Sequence, residues 1–361
     1  RRWYGNLEFI VDYLHDGNNG ANLGDRNPTI YFKDNINWSK ISSGKFAARR
    51  GREGALYDDA ACQCMVYNET NYYYILALLN SPFTQIVLRL LNETMNYSPG
   101  EVAKIPYRHS AEHEEIINKL TEDNISISKA DWDSHETSWD FKRNSLWEQQ
   151  LNAVLFEMQD MGVMSREANI DEIGPFNLPD LLLPLEKLVE NYCAEWEDLF
   201  HQLHRNEEEL NRKFIEIYGL QDELTPDVPL DEITILQKGE ISIEDNQIVW
   251  HDDVIIKQFI SWMVGCFMGR YSADKPGLII ASQGQKVADL DLPAQTLEID
   301  DDGIMPLMQE SDFFTDDMTQ RIEAGIKALF GERNFYENMK YIKACLGQEL
   351  RDYLYRDYYD D

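Results

Sequence analysis

Apolar positions along the chain fall into blocks of different period. The most regular is Leu188, Tyr192, Trp196, Leu199, Leu203, Leu210, Phe214 and Ile217, spaced mostly by three or four. It predicts one long amphipathic helix over 185–218, with Gly219 as its stop. Two shorter helices are predicted over 71–91. Tyr74, Leu78 and Leu79 recur at helical spacing, Ser81-Pro82 breaks the run, and Phe83, Ile86, Val87, Leu90 and Leu91 form a second apolar face. Ser81 fits as the cap of that second helix and Pro82 as a first-turn residue. Further helices are expected over 112–120, 146–161, 254–269, 313–329 and 335–355. Short strands are expected at 29–32, 101–107 and within 233–250, while 36–41 fits strand or helix. Trp132, Trp139, Phe141 and Trp147 follow neither period. That suggests an extended segment laid over a surface.

Breakers group these elements. Pro175, Pro179 and Pro184 mark one boundary, and Pro226 and Pro229 another. For 361 residues, two or three domains are expected. The fold class is α+β: a mixed α/β domain over 1–108, an aromatic-rich extended connector and helix over 109–184, a helical spacer over 185–230, and a smaller mixed region over 231–361.

Charge changes the picture. Lys and Arg number 33 against 65 Asp and Glu, a formal −32, which argues against a general nucleic-acid binder. The acidity is uneven. Residues 1–108 carry 12 basic and 11 acidic side chains, a net +1, leaving −33 for the rest. Within them Arg26, Lys33, Lys40, Lys45, Arg49, Arg50 and Arg52 face only Asp34, a net +6. Such a cluster suits a phosphate-contact surface, and a solvated basic loop is the bland alternative.

Several chemistries are missing. The twelve prolines include no adjacent pair, so the Pro-Pro-Tyr/Phe loop of an amino-methyltransferase is absent. No G-x-G spacing occurs, which removes the usual glycine-rich cofactor loop, and Gly44-Lys45-Phe46 is no P-loop. Cys62-Gln63-Cys64 fails zinc spacing, Glu197, His201 and His204 lack a reciprocal cluster, and Asp300–Asp302 does not match a calcium loop. Five cysteines and the lack of a signal sequence or an uncharged apolar run of membrane length point to a reducing cytoplasm. The first residue is not Met, so a fragment is expected.

Several strings together carry a resemblance. They are Trp3-Tyr4-Gly5-Asn6, Tyr31-Phe32-Lys33, Ile36-Asn37-Trp38-Ser39, Ile41-Ser42-Ser43-Gly44-Lys45-Phe46 and Leu90-Leu91-Asn92-Glu93-Thr94-Met95-Asn96-Tyr97. Gly100-Glu101-Val102-Ala103-Lys104-Ile105-Pro106, Glu136-Thr137-Ser138-Trp139-Asp140-Phe141 and Leu220-Gln221-Asp222-Glu223-Leu224-Thr225-Pro226 continue the series. In this order the chain resembles the PglX family of adenine-specific DNA methyltransferases of type 1 BREX phage-defence systems. The resemblance implies the target-recognition domain and C-terminal region of a larger protein. The S-adenosylmethionine fold and catalytic loop would lie outside this segment, which alone should be inactive. Double-stranded DNA is the implied partner, with other BREX components and phage-encoded DNA-mimic inhibitors as further ones. The reaction implied is methyl transfer to adenine N6, marking host DNA as self.

If the first domain reads DNA, Arg49, Arg50 and Arg52 are the candidates for guanine edges, because a guanidinium fork fits O6 and N7. Lys33, Lys40 and Lys45 suit phosphates, Ser42 and Ser43 either partner, and Asn96 and Tyr97 lie near a turn that reaches DNA. Trp38 reads as a core anchor. The competing function class is an acidic protein-interaction module or a free-standing DNA mimic.

Overall fold

The computed structural model describes residues 1–9, 28–57, 60–67, 71–92, 94–173, 181–280, 284–286, 295–310 and 313–361. Arg26, Glu93, Pro175 and Pro179, all used above, lie outside the described residues. In chain order the strands are β1 (Ile36–Ser39), β2 (Ala48–Arg50), β3 (Ala61–Cys64), β4 (Ile241–Glu244) and β5 (Gln247–Trp250). The helices are α1 (Tyr72–Asn80), α2 (Pro82–Leu91), α3 (Pro99–Val102), α4 (Glu114–Asp133), α5 (Ser145–Asp160) and α6 (Leu185–Tyr218). They continue with α7 (Asp252–Phe267), α8 (Met318–Phe330), α9 (Phe335–Leu346) and α10 (Leu350–Arg356). The class is α+β, as expected. Among the described residues, no single helix is long and apolar enough to cross a membrane.

Two compact units divide the chain, and neither is contiguous. One comprises Arg1–Trp132 with Asp198–Ile235, the other Asp133–Glu197 with Leu236–Asp361. The four contiguous segments expected from sequence do not coincide with them, apart from the break near 231–236. Long helix α6 contributes residues to both units.

In the first unit, three antiparallel strands stand in the order β2-β1-β3. Trp38 pairs with Ala48 on one side and Cys62 on the other. Ile36, Trp38, Phe46 and Ala48 are buried, and Trp38 is the anchor expected. The outer edge of β2 is not left open. Trp3 N–H donates to Ala48 O at 3.1 Å, and Arg50 N–H to Trp3 O at 2.8 Å. Asn80 closes the remaining gap, its amide accepting from Ala48 N–H at 2.9 Å and donating to Ala48 C=O at 3.0 Å. Ser81 caps α2 through Thr84 N–H, with Pro82 in the first turn as expected.

α4 is longer than its apolar pattern suggested. Its inward positions Ile117, Thr121, Asn124, Ile125, Ser128, Asp131 and Trp132 keep helical spacing, but four of these seven are polar. Arg1 meets the buried Asp131 at 2.6 Å and lies over the Trp132 ring.

Local corrections have physical causes. The strand expected at 29–32 is a turn, because Phe32 takes a φ of 63° and Pro28–Ile30 forms a short 3-10 helix. The strand expected at 101–107 is replaced at its start by α3, nucleated by Ser98 and Glu101 as a reciprocal capping box with Pro99 in the first turn. The aromatic connector is not an extended surface strap. Trp132, Phe141 and Trp147 are buried, and only Trp139 is exposed. The helix expected from 313 begins at Met318, where Asp317 accepts from Thr319 and Gln320 N–H. The helix over 335–355 breaks at Gly347, whose φ of 68° suits glycine.

The second unit buries Ile256, Phe259, Ile260, Trp262 and Met263 of α7 with Ile322, Ile326, Leu329 and Phe330 of α8. Phe259 and Phe330 ring centroids lie 5.6 Å apart. Asp317, with no exposed surface, holds Arg351 of α10 through both carboxylate oxygens at 2.9 Å.

Candidate nucleic-acid interface

β1 and β2 are short, so the loops at their two ends project from the same small sheet. Four residues of strand span only about 13 Å. That distance sorts the sequence-selected residues into two groups.

The first group gathers where β1 leaves the sheet. Loop 40–46 and loop 92–98 are far apart in sequence, yet they join as a two-stranded ribbon with Ile41 opposite Asn96 in antiparallel pairing. Ser42 N–H donates to Met95 O at 3.1 Å and Tyr97 N–H to Lys40 O at 2.7 Å. Beneath the ribbon, Trp38 Nε1 donates to Tyr97 O at 2.9 Å, and the Phe46 and Tyr97 rings meet edge to face at 5.2 Å. Tyr97 Oη also donates to Gly44 O at 3.2 Å. Asn92 Nδ2 donates to Asn96 O at 3.0 Å, and Asn92 Oδ1 accepts from Thr94 N–H at 2.9 Å. Lys40, Ser42, Ser43, Lys45, Asn96 and Tyr97 are thus brought together. Ser43, Lys45 and Asn96 are exposed, while Lys40, Ser42 and Tyr97 are half-buried. Lys45 pairs with Glu232. Ile41 is 68% exposed and Met95 59%, so the ribbon presents apolar side chains as well as polar ones.

The second group stands at the other end. Lys33 is exposed, and Arg50 pairs with Asp34 at 3.0 Å while lying over the Tyr72 ring. Burial alone would lower the Arg50 guanidinium; Asp34 and the nearby tyrosines raise it instead. Arg52 is half-buried, and its N–H donates to Tyr57 Oη at 3.1 Å.

Arg49 belongs to neither surface. It is 6% exposed, with its guanidinium 3.4 Å from Ser39 Oγ, and burial lowers its pKa. It pairs with buried Asn37 inside the sheet, so the structure does not present its fork outward. Sequence reasoning grouped Arg49 with Arg50 and Arg52 by charge. Alternation along β2 was the signal that separates them. It also passed over Ile41 and Met95, because an exposed aliphatic cannot be told from a core one before the fold is known.

Charge distribution shifts as well. With α4 and the 198–235 segment included, the first unit has 17 basic and 27 acidic residues, a net −10, leaving −22 for the second. The basic loops are a local patch on an acidic unit. Among the metal candidates, His204 Nε2 lies 2.7 Å from Val228 O and 3.4 Å from Glu208. Asp300 holds Arg321 at 2.9 Å, beside the exposed Asp301 and Asp302. Among the described residues the five cysteines form no disulfide, and burial pushes the Cys64 thiol up.

No protein-family model matches the chain. Over 358 residues it is 32% identical to the adenine-specific methyltransferase BrxX of Escherichia coli O9:H4 (strain HS), covering 96% of this chain and 26% of that protein. Over 378 residues it is 30% identical to the adenine-specific methyltransferase PglX of Lacticaseibacillus casei (strain Zhang), covering 99% of this chain and 28% of that protein. The chain spans about a quarter of the length of these relatives.

Proposed function

Starting from a chain that is a partial PglX/BrxX-like protein, we propose that it is the target-recognition and C-terminal part of a cytoplasmic BREX adenine-N6 DNA methyltransferase. S-adenosylmethionine would be bound by another part of the parent protein. The methyl mark would label host DNA as self, and other BREX components and phage-encoded DNA mimics would be further partners. One observation supports the reading role above the others. Two loops chosen from sequence on separate grounds meet in one exposed ribbon that carries Lys40, Ser42, Ser43, Lys45 and Asn96.

In this reading Lys40 and Lys45 hold phosphates and set register, and Ser42 and Ser43 donate to phosphate or base. At the far end of the sheet, Lys33 extends the phosphate track, and Arg50 and Arg52 are the outward guanidinium groups suited to guanine. Arg49 supports the sheet that carries them. A phosphate docking on Lys45 must displace Glu232, so only a strongly anionic partner would compete.

The test is duplex binding by the 361-residue chain across a salt series. A negative log–log slope is expected, shallower in Lys40→Ala/Lys45→Ala. Absence of salt-dependent DNA binding would remove the reading role. A protein-contact role for the second unit is the alternative. It is favoured by exposed Ile304, Met308, Phe313 and Phe314 along an acidic stretch.

A further inference from the structure

Ile41 and Asn96 are directly opposed on the two-stranded ribbon. The flanking hydrogen bonds, Tyr97 N–H to Lys40 O and Ser42 N–H to Met95 O, make theirs the closely spaced, non-hydrogen-bonded kind of antiparallel pair. Opposed residues of such a pair project to the same face, with their Cα atoms about 4.5 Å apart. The ribbon therefore offers an exposed branched aliphatic and an exposed primary amide side by side. The backbone of Asn96 is fixed on both sides, its N–H donating to Thr94 Oγ1 at 3.3 Å and its C=O accepting from Asn92 at 3.0 Å. Its side-chain amide makes no hydrogen bond among the described residues, and Ile41 is 68% exposed. A pre-formed amide with an open donor and acceptor, next to an apolar tip, is a recognition element in search of a flat partner with matching groups.

We propose that Ile41 and Asn96 together read one A·T base pair in the major groove, a base-level assignment that rests on the DNA-reading role above. The groove, about 12 Å wide, admits a two-stranded ribbon. Asn96 Nδ2 donates to adenine N7 while Oδ1 accepts from adenine N6–H, the bidentate pattern an amide makes with adenine alone. Ile41 packs on the thymine C5-methyl group, the one apolar feature on that edge. A G·C pair is rejected on both counts. Guanine sets its O6 acceptor against Asn96 Oδ1, and cytosine has no methyl. Lys40 and Lys45 flank the pair and supply the positive charge that brings a polyanion to it. The pair read in this way stays stacked, so it is not the one whose adenine is extruded for modification.

The experiment first selects a binding site for the 361-residue chain from a random duplex library. Each A·T pair of that site is then altered singly, with deoxyuridine for thymidine or 7-deazaadenine for adenine. Wild type, Ile41→Ala, Ile41→Val and Asn96→Ala are compared, with thermal unfolding confirming that these surface variants fold. At one pair, deoxyuridine should weaken wild-type binding about fivefold and 7-deazaadenine about tenfold or more. The deoxyuridine effect should vanish in Ile41→Ala and persist in Ile41→Val, and the 7-deazaadenine effect should vanish in Asn96→Ala. Site-selective binding that ignores both base analogues at every A·T pair, or effects that survive in the alanine variants, overturns this assignment and leaves the DNA-reading role standing. Absence of salt-dependent DNA binding overturns both.

Discussion

Glu240 has no exposed surface, yet it keeps its charge, because His135 Nε2 lies 2.5 Å away and Gln258 Nε2 donates at 2.9 Å. Burial alone would raise the carboxyl. The hydrogen bond and charge of His135 outweigh burial and bring it down to about 2. A depressed folded-state pKa means stability that is full above the usual carboxylate range and lost as pH falls from about 4.5 toward 2. The amount is about 3 kcal/mol at most. In urea unfolding from pH 6 to 2.5, wild type should lose more stability than Glu240→Gln, so the gap between them narrows on acidification. Parallel curves would rule this out. Glu207 shows the opposite balance. Burial pushes its carboxyl up despite Arg2 at 2.8 Å and the Trp3 Nε1 hydrogen bond at 2.6 Å. Glu207→Ala leaves the buried Trp3 indole N–H without its acceptor and takes the carboxylate from Arg2, whose guanidinium keeps its bond to Glu232 O, and should cost about 2–3 kcal/mol in thermal unfolding.

Among the elements, β2 depends most on partners outside its own sheet. It has three residues, and its outer edge is completed by Trp3 and by the Asn80 side chain rather than by a fourth strand. Asn80 ends α1 and fills both hydrogen-bonding positions of Ala48, so one amide ties helix to sheet. Asn80→Ala strands the buried Ala48 N–H, while the Ala48 C=O keeps its bond from Trp3 N–H, and should destabilise the first unit by about 1–2 kcal/mol. Amide exchange at Ala48 should rise selectively; unchanged protection there would argue against this account. Ser81→Ala, which removes only the α2 cap, should cost about 1 kcal/mol. Loop 40–46 hangs between β1 and β2, so a loosened β2 edge should also weaken DNA binding, although the Asn80 side chain bonds to Ala48 rather than to the ribbon.

For the molecule as a whole, a few lysines must act against a strong acidic field. The first unit has a net charge of −10 around its basic loops, and Glu232 already holds Lys45. DNA binding should therefore have only a shallow salt slope, set by those few phosphate contacts, and be weak on random sequence, with base contacts deciding residence. Each lysine removed should lower the log–log salt slope by about 1. Glu232→Gln releases Lys45 and should tighten binding to every duplex alike. If it changed sequence preference instead, Lys45 would be a base contact rather than a phosphate one.

By itself the sequence determined what depends on local periodicity and residue chemistry. Residues 185–218 form one helix because its apolar stripe is nearly unbroken, and the α1–α2 break falls at Ser81-Pro82 because cap and ring geometry act within one turn. It also singled out two loops on separate grounds, 40–46 because lysines and serines beside glycine mark a surface, and 92–98 because a turn follows the second helix. The tertiary structure alone decided how those loops meet. Pairing between residues 41 and 96 is a long-range contact that no local preference encodes. It likewise decided that Arg49 faces inward while Arg50 does not, and that α4 buries a polar stripe, because burial depends on which neighbours fill the space. Most of all, it decided which segments share a compact unit: residues 198–235 belong with 1–132, and that association places acidic Glu232 against Lys45 of the basic loop.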